Sequence, residues 1–158
     1  MHEPSTLPVM VIDDEPHLRI TASQTLELAG YTPHCFESAE QALAALPNDF
    51  PGVIVSDIRM PGMDGMALLH ELHSRDATLP IILITGHGDI STAVEAMRAG
   101  AWDFLEKPFA GDQLLDVVRR GIEKRQLSLE NLRLKAELEV QQAALGPRLV
   151  GRTPVISR

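Results

Sequence analysis

Short apolar segments alternate along the chain with segments in which apolar residues recur every three or four positions. The short segments occupy residues 7–12, 31–36, 53–56, 80–85 and 101–106. Apolar runs of this length are typical of β-strands, whereas a period near 3.6 residues is typical of amphipathic α-helices. We therefore predict five strands, each followed by a helix, and we expect the more polar second strand to be half-exposed.

Capping and breaking residues delimit the predicted helices. Ser38 is a suitable N-cap for the second helix, and Gly30 is a suitable stop for the first. The last helix runs from Asp112 to Ala144, because no proline interrupts this stretch and Gly121 is its single glycine. The other predicted helices cover residues 16–30, 39–46, 66–75 and 90–100.

The segments 53–56 and 80–85 are continuous runs of apolar residues instead of alternating ones. Strands of this kind are buried on both faces, which is typical of a parallel sheet covered by helices on both sides. Right-handed crossovers then produce a doubly wound sheet. The predicted fold class is therefore α/β, with a doubly wound five-stranded parallel sheet and an extended C-terminal helix. Ligands bind such sheets beyond the carboxyl ends of the strands.

Composition narrows the possible functions. The 158 residues carry a net charge of −8, which argues against direct contact with nucleic acid because that contact relies on clustered Lys and Arg. The apolar runs are shorter than the ~20 residues that span a membrane. Cys35 is the single cysteine and no secretory leader is evident, so we expect a cytoplasmic protein without disulfides.

Polar residues with related chemistry follow four of the predicted strands. Asp13 and Asp14 follow the first, Asp57 the third, Thr85 the fourth and Lys107 the fifth. Carboxylates gathered at one sheet edge repel each other unless a cation is present. Oxygen ligands without Cys or His favour Mg²⁺. A carboxylate beside Mg²⁺, a lysine and a hydroxyl is equipped for phosphoryl transfer, so we predict an acyl phosphate on Asp57.

Four motifs carry a family resemblance across residues 7–125. In order, "VIDDE", "SDIRMPGMDG", "LITGHGD" and "AWDFLEKPF" resemble the receiver domain of two-component response regulators. The resemblance implies a flavodoxin-like fold with strand order 2-1-3-4-5 and a receiver domain over residues 1–125. It also implies a sensor histidine kinase as the phosphodonor.

The same resemblance implies roles for residues around the phosphorylation site. Asp57 would be the phosphorylated residue. Mg²⁺ would be held by Asp13, Asp14 and Asp57, with Asp13 acting through a bound water, and by the backbone carbonyl of Arg59.

Further roles concern switching. Thr85 and Lys107 correspond to the family's switch hydroxyl and phosphate-binding lysine, and Phe104 to the aromatic residue that changes rotamer on activation. Arg59 and His87 correspond to positions that tune the rate of dephosphorylation.

The segment 126–147 is predicted to be a helical coiled-coil linker that forms a homodimer. One heptad register places Leu127, Asn131, Leu134 and Leu138 in the seam, with the asparagine favouring a two-stranded parallel pair. A second register, which includes Leu132, stays open, as does a solvated lone helix.

Residues 148–158 resemble the start of the ATPase module in regulators that activate sigma-54-dependent promoters. The 158 residues contain no G-x-x-x-x-G-K-[ST] phosphate loop and no helix-turn-helix follows, so we expect no enzyme activity beyond the protein's own phosphorylation and dephosphorylation. The expected partners include the ATPase and DNA-binding domains of a full-length regulator. Two alternatives remain, namely a Mg²⁺-dependent aspartyl-phosphate phosphohydrolase and a structural dimerisation module that is never phosphorylated.

Overall fold

The computed structural model of the protein describes residues 7–145, and side chains through residue 143. The predicted ATPase start at 148–158 and the end of the predicted linker at 146–147 lie outside the described residues. The chain alternates strands and helices as predicted. The elements are β1 Pro8–Ile12, α1 Pro16–Leu28, β2 Thr32–Phe36, α2 Ala39–Ala45, β3 Val53–Asp57, α3 Gly65–Arg75, β4 Ile81–Thr85, α4 Ile90–Arg98, β5 Asp103–Glu106 and α5 Gly111–Leu145.

The strands form one parallel sheet in the order β2-β1-β3-β4-β5. Both the α/β fold class and the strand order are thereby confirmed. The winding direction reverses between β1 and β3, which pair side by side with Ile12 opposite Ser56. The residues that follow these two strands therefore lie at the crevice where doubly wound sheets bind their ligands.

Helices cover both faces of the sheet. One face packs against α1 and α5, where Leu26 and Val118 are fully buried, and the other packs against α2, α3 and α4, where Leu69 and Ala96 are fully buried. Every residue of β3 and β4 is buried, as the continuous apolar runs predicted. Burying apolar surface on both faces is what holds these central strands in place.

Two helices end two residues earlier than the sequence suggested. Helix α1 ends at Leu28 and α4 at Arg98, because Gly30 and Gly100 lie beyond the helices with φ of 96° and 112°. Residues other than glycine rarely adopt a positive φ of this size. A Cβ at Gly100 would also come within 2.9 Å of the His73 ring. Strand β5 likewise begins at Asp103 instead of residue 101.

The chain divides into two compact units, one ending at Gln126 and the other beginning at Leu127. This division lies next to the predicted domain boundary at residue 125, which stays a prediction. In the second unit the leucines of the first heptad register are exposed, and Leu127 is 67% exposed. Within residues 7–145, no helix combines the length and apolar character needed to cross a lipid bilayer.

Arg125, on α5, is a fully buried charged side chain. Its guanidinium donates hydrogen bonds to the Phe50 carbonyl at 2.8 Å, to Asp76 at 2.6 Å and to the Thr78 hydroxyl at 2.7 Å. A buried charge is tolerated when it is paired and hydrogen-bonded in this way. Burial alone would raise the pKa of Asp76, but the hydrogen bond and charge of Arg125 outweigh it and lower that pKa.

We expect Arg125→Met to lower the free energy of unfolding by about 3 kcal/mol, because it leaves Asp76 and the Phe50 carbonyl without their partner. Urea denaturation of the purified protein measures this loss. Arg119→Met is the matched control, since Arg119 is exposed and its ion pairs, with Asp116 and Glu123, lie on its own helix. A loss below 1 kcal/mol for Arg125→Met would contradict the role assigned to this contact.

Candidate functional site

Three carboxylates meet at the carboxyl ends of β1 and β3. Asp13 follows β1 directly, Asp14 comes next, and Asp57 is the last residue of β3. One oxygen from each lies within 4.8 Å of the others. Asp13 is fully buried and Asp57 nearly so, while Asp14 is exposed. The structure thus gathers the three acids that the sequence placed at strand ends.

Backbone and side-chain donors fix the orientation of the two buried carboxylates. The Glu15 N–H donates to Asp13 Oδ1 at 2.8 Å, and the Arg59 N–H donates to Asp57 Oδ1 at 3.1 Å. The Arg19 guanidinium donates to the Asp13 carbonyl at 2.7 Å and so ties α1 to the end of β1. These bonds hold the acids together despite their like charge.

Lys107 reaches the cluster from the end of β5. Its Nζ donates to Asp57 Oδ2 at 2.9 Å, and its backbone N–H donates to the Thr85 carbonyl at 2.9 Å. The peptide bond between Lys107 and Pro108 is cis. The lysine therefore occupies one oxygen of Asp57 while the Arg59 N–H occupies the other.

Burial and neighbouring charges set the protonation of Asp13 and Lys107. Burial first, and the neighbouring charge of Asp57, raise the pKa of Asp13 from 3.8 to about 6, against the opposing hydrogen bond from Glu15. For Lys107, burial would lower the pKa, but the bond to Asp57 and the surrounding acids raise it. Lys107 is therefore positively charged, but its single charge does not balance the three clustered carboxyl groups.

Asp13 Oδ2 is a buried oxygen with no hydrogen-bond partner among the described residues. Buried polar atoms normally have partners, so an orphaned carboxylate oxygen needs an explanation. Its position beside the oxygens of Asp14 and Asp57 fits a hard divalent cation, because such ions prefer carboxylate oxygen ligands. The acidic pocket therefore suits the Mg²⁺ that receiver-type sheets are expected to hold.

Of the residues predicted to switch the protein or tune its dephosphorylation, Lys107 contacts Asp57, whereas Thr85, Phe104 and His87 have other surroundings. Thr85 is buried and its hydroxyl faces the Leu105 carbonyl at 3.5 Å, a long hydrogen bond. Phe104 is 38% exposed on the surface of the sheet edge. His87 is exposed, with Nδ1 3.6 Å from Glu106.

Contacts between loops at this sheet edge were not predicted from the sequence. The Arg59 guanidinium donates to Asp89 Oδ2 at 2.9 Å, and the Gly88 N–H donates to Glu106. The Thr92 hydroxyl bond first, then Arg59, hold the pKa of Asp89 below its usual range. The available signal was the position of Asp89 just before a predicted helix, but an acid there is ordinarily interpreted as an N-cap.

The family described as "Response regulator receiver domain" matches residues 9–119 of the chain, which is more than half of its length. The chain belongs to this family. The resemblance drawn from the four sequence motifs is thereby confirmed, together with the receiver fold that it implied.

Curated relatives agree with this placement of the receiver domain. The C4-dicarboxylate transport transcriptional regulatory protein DctD of Pseudomonas aeruginosa is 55% identical over 150 residues, covering 95% of this chain and 32% of that protein. The protein of the same name from Rhizobium meliloti is 52% identical over 150 residues, with the same coverage of 95% and 32%. The chain thus spans about a third of the length of these relatives.

A solved structure has the same architecture as the receiver domain. The crystal structure of NtrX from Brucella abortus in complex with ADP superimposes with a TM-score of 0.74 at 39% identity, covering 80% of this chain and 29% of that one. The likeness supports the sheet order and the long last helix seen here.

Asp13→Asn tests the electrostatic cost of the acidic cluster. Because the pKa of Asp13 is raised to about 6 in the folded protein, its ionisation costs stability progressively as pH rises from about 3.8 to about 6 and fully above that range. Without Mg²⁺ at pH 7.5, we expect the variant to be more stable than the wild type by about 2 kcal/mol. At pH 4 this gain should be absent.

Added Mg²⁺ should make the wild type more stable than Asp13→Asn. An ion that binds only the folded state stabilises the wild type more than a variant lacking one ligand. Thermal unfolding at millimolar Mg²⁺ measures this. Asp49→Asn, at an exposed turn with φ of 54°, is the control and should respond to neither pH nor Mg²⁺ differently from the wild type. A destabilised Asp13→Asn protein without Mg²⁺ would contradict the repulsion.

Proposed function

We propose that this receiver domain accepts a phosphoryl group on Asp57 from the phosphohistidine of a sensor histidine kinase. The observation that carries the proposal is the environment of Asp57, which lies between the buried Asp13, the cationic Lys107 and the Arg59 N–H. A carboxylate at the mouth of a crevice, fixed by one cation and one backbone donor, is positioned to attack phosphorus.

The transfer exchanges one phosphorus bond for another. A carboxylate oxygen of Asp57 forms the new O–P bond as the N–P bond of phosphohistidine breaks, and the histidine nitrogen keeps the electron pair. Lys107, 2.9 Å from Asp57 Oδ2, is close enough to neutralise charge that develops on the phosphoryl oxygens. The protein therefore supplies positioning and charge, and the donor supplies the reactive bond.

Mg²⁺ completes this site in the proposal. The ligands would be Asp13, Asp14, Asp57 and the backbone carbonyl of Arg59, and the orphaned Asp13 oxygen supports this choice. When bound, the ion supplies a second positive charge at the transferred phosphoryl group.

We infer that Thr85 and Phe104 transmit the change. In the unphosphorylated protein the Thr85 hydroxyl faces the Leu105 carbonyl, and Phe104 is 38% exposed. A phosphoryl group offers the hydroxyl a stronger, charged acceptor. Movement of Thr85 toward it would vacate space beside β5 that the Phe104 ring can fill. His87 and Arg59 would then tune how long the phosphoryl group persists.

The whole protein is proposed to be a cytoplasmic sigma-54-type transcriptional activator. Residues 1–125 would be its receiver domain, 126–147 a coiled-coil linker and 148–158 the start of an ATPase module. The similarity to DctD, over about a third of that protein's length, supports this arrangement. Phosphorylation would rearrange a homodimer formed by the linker and thereby control the ATPase and DNA-binding domains. The chain itself would catalyse only its own phosphorylation and dephosphorylation.

Exposed leucines support the proposed linker dimer. Leu127, Leu134 and Leu138 are each about half exposed or more, and the whole stretch from 130 to 143 is exposed. A single helix with such an apolar stripe is marginal in water without a partner.

Incubation with Mg²⁺ and acetyl phosphate should place one phosphoryl group per chain on Asp57. We expect mass spectrometry to detect an addition that is stable in acid and released by base, with a loss of at least about 100-fold in Asp57→Asn because the nucleophilic oxygen is gone. The control Asp49→Asn keeps every residue of the site and should be phosphorylated like the wild type.

Other outcomes of this experiment support different functions. Rapid multiple turnover of varied phosphate esters would indicate a phosphohydrolase. Absence of uptake would indicate a structural dimerisation module. Phosphate retained in the Asp57→Asn protein would show that another residue is the acceptor.

Replacement of two seam leucines should dissociate the dimer. We expect Leu134→Lys with Leu138→Lys to give monomers in light scattering at concentrations where the wild type is dimeric, because two charges would face each other across the seam. The exposed Leu132 and Val140 lie on the other side of the helix in this register, so their lysine variants are matched controls. Monomers from Leu132→Lys and dimers from the seam variant would support the second register instead.

A further inference from the structure

An ion pair connects the phosphorylation site to the start of α4. The Arg59 backbone N–H donates to Asp57, while its guanidinium donates to Asp89 Oδ2 at 2.9 Å. Asp89 Oδ1 accepts a hydrogen bond from the Thr92 hydroxyl at 2.7 Å, in the first turn of α4. A single residue thus contacts both the proposed phosphate acceptor and the helix that follows β4.

The close partners of the Asp89 carboxylate are side chains and not the backbone of its helix. Asp89 precedes α4, but its hydrogen bonds at 2.7 and 2.9 Å come from the Thr92 hydroxyl and the Arg59 guanidinium, and the Thr92 N–H has the smallest effect among the groups that lower its pKa. In contrast, Ser38 accepts from the Gln41 N–H at the start of α2, and Asp64 accepts from the Ala67 N–H at the start of α3. The start of α4 is therefore held by Arg59 in a way that the starts of α2 and α3 are not.

The two partners of this pair differ in exposure. The Arg59 side chain is 76% exposed, whereas that of Asp89 is 19% exposed. An exposed arginine on a mobile stem loses little when it exchanges one anion for another, because ion pairs in water contribute little to stability. The guanidinium can therefore change partners while Asp89 stays in place.

We propose that Arg59 is a charge-driven latch, which pairs with Asp89 while Asp57 is unphosphorylated and moves to the phosphoryl oxygens once Asp57 is modified, releasing the start of α4. This inference rests on the proposed phosphorylation of Asp57 and extends it. It gives a route from Asp57 to α4 that does not use the Thr85 hydroxyl or the Phe104 ring.

The direction of the exchange follows from charge and geometry. An acyl phosphate adds about −1.5 to −2 charges and three acceptor oxygens to a carboxylate only two residues from Arg59. Planar guanidinium groups bind phosphate oxygens in a bidentate manner and more strongly than a single carboxylate oxygen. Once freed, Asp89 is able to accept a backbone N–H in the first turn of α4, as Asp64 does for α3.

The packing of α4 makes this helix suited to a change of position. Helix α4 exposes three large apolar side chains on its surface, Ile90, Val94 and Met97, with exposures of 69%, 45% and 41%. Inside the domain it buries only the alanines Ala93 and Ala96. A helix with small buried contacts and large exposed ones is readily repositioned, so a modest change at its start shifts its equilibrium.

The test compares unphosphorylated variants with the beryllofluoride-bound wild type by ¹⁵N NMR. Beryllofluoride with Mg²⁺ first defines the change in chemical shift of the amides of residues 94–98, which form the second half of α4 and contain neither substituted position. We expect Asp89→Asn and Arg59→Gln, without beryllofluoride, to shift these amide resonances toward their positions in the beryllofluoride-bound wild type. The ratio of the released to the paired state should change by about two- to five-fold. The double variant should move them no further than either single variant.

The matched control is Asp103→Asn, which removes a similar pair with Arg120 at 3.4 Å and leaves the loop before α4 untouched. It should leave residues 94–98 at their wild-type positions. Single variants at wild-type positions, or a double variant that moves by the sum of the two, would overturn the latch while phosphorylation stands. Failure of beryllofluoride to bind at Asp57 would overturn both the latch and the proposed function.

Discussion

The burial of the Asp13 carboxylate, next to the like charge of Asp57, is the constraint on which the site depends. Asp13 is fully buried, its pKa is raised to about 6, and one of its oxygens has no partner among the described residues. Such an arrangement costs free energy in the unliganded fold. It persists because the sheet, the Glu15 N–H and the Lys107 ammonium hold the groups in place.

The apolar core of the domain offsets the cost of this arrangement. Apolar packing on both faces of β3 and β4 fixes the strand ends within the sheet, so the residues that follow them cannot move apart. The acids therefore form a preorganised set of negative charges, and an excess of negative charge at one place suits a cation. The packing of the core thus offsets the cost of holding the acids together at the sheet edge.

Sequence reasoning predicted the parts that depend on local pattern. Continuous runs such as 80–85 predicted buried parallel strands, and the acids and Lys107 at strand ends predicted one shared site, which the structure brings together. Contacts between distant loops could not be predicted in this way. Nothing in the spacing of Arg59 and Asp89, thirty residues apart, indicates that they pair, because their meeting depends on how two loops fold back on the sheet edge.

The contacts of Arg125 could not be predicted from the sequence either, and they differ in burial from the Arg59–Asp89 pair. In the sequence it belongs to a helix rich in charged residues, where an arginine is usually solvated, yet it is fully buried and bonded to Phe50 and Asp76. Removal of Asp76 would leave the charge of Arg125 unpaired in the interior, so this pair is fixed. The Arg59–Asp89 pair has the same chemistry but lies in water, with Arg59 76% exposed, and can be exchanged at small cost. Burial, and not the identity of the ions, therefore decides which pair holds the domain together and which can exchange partners.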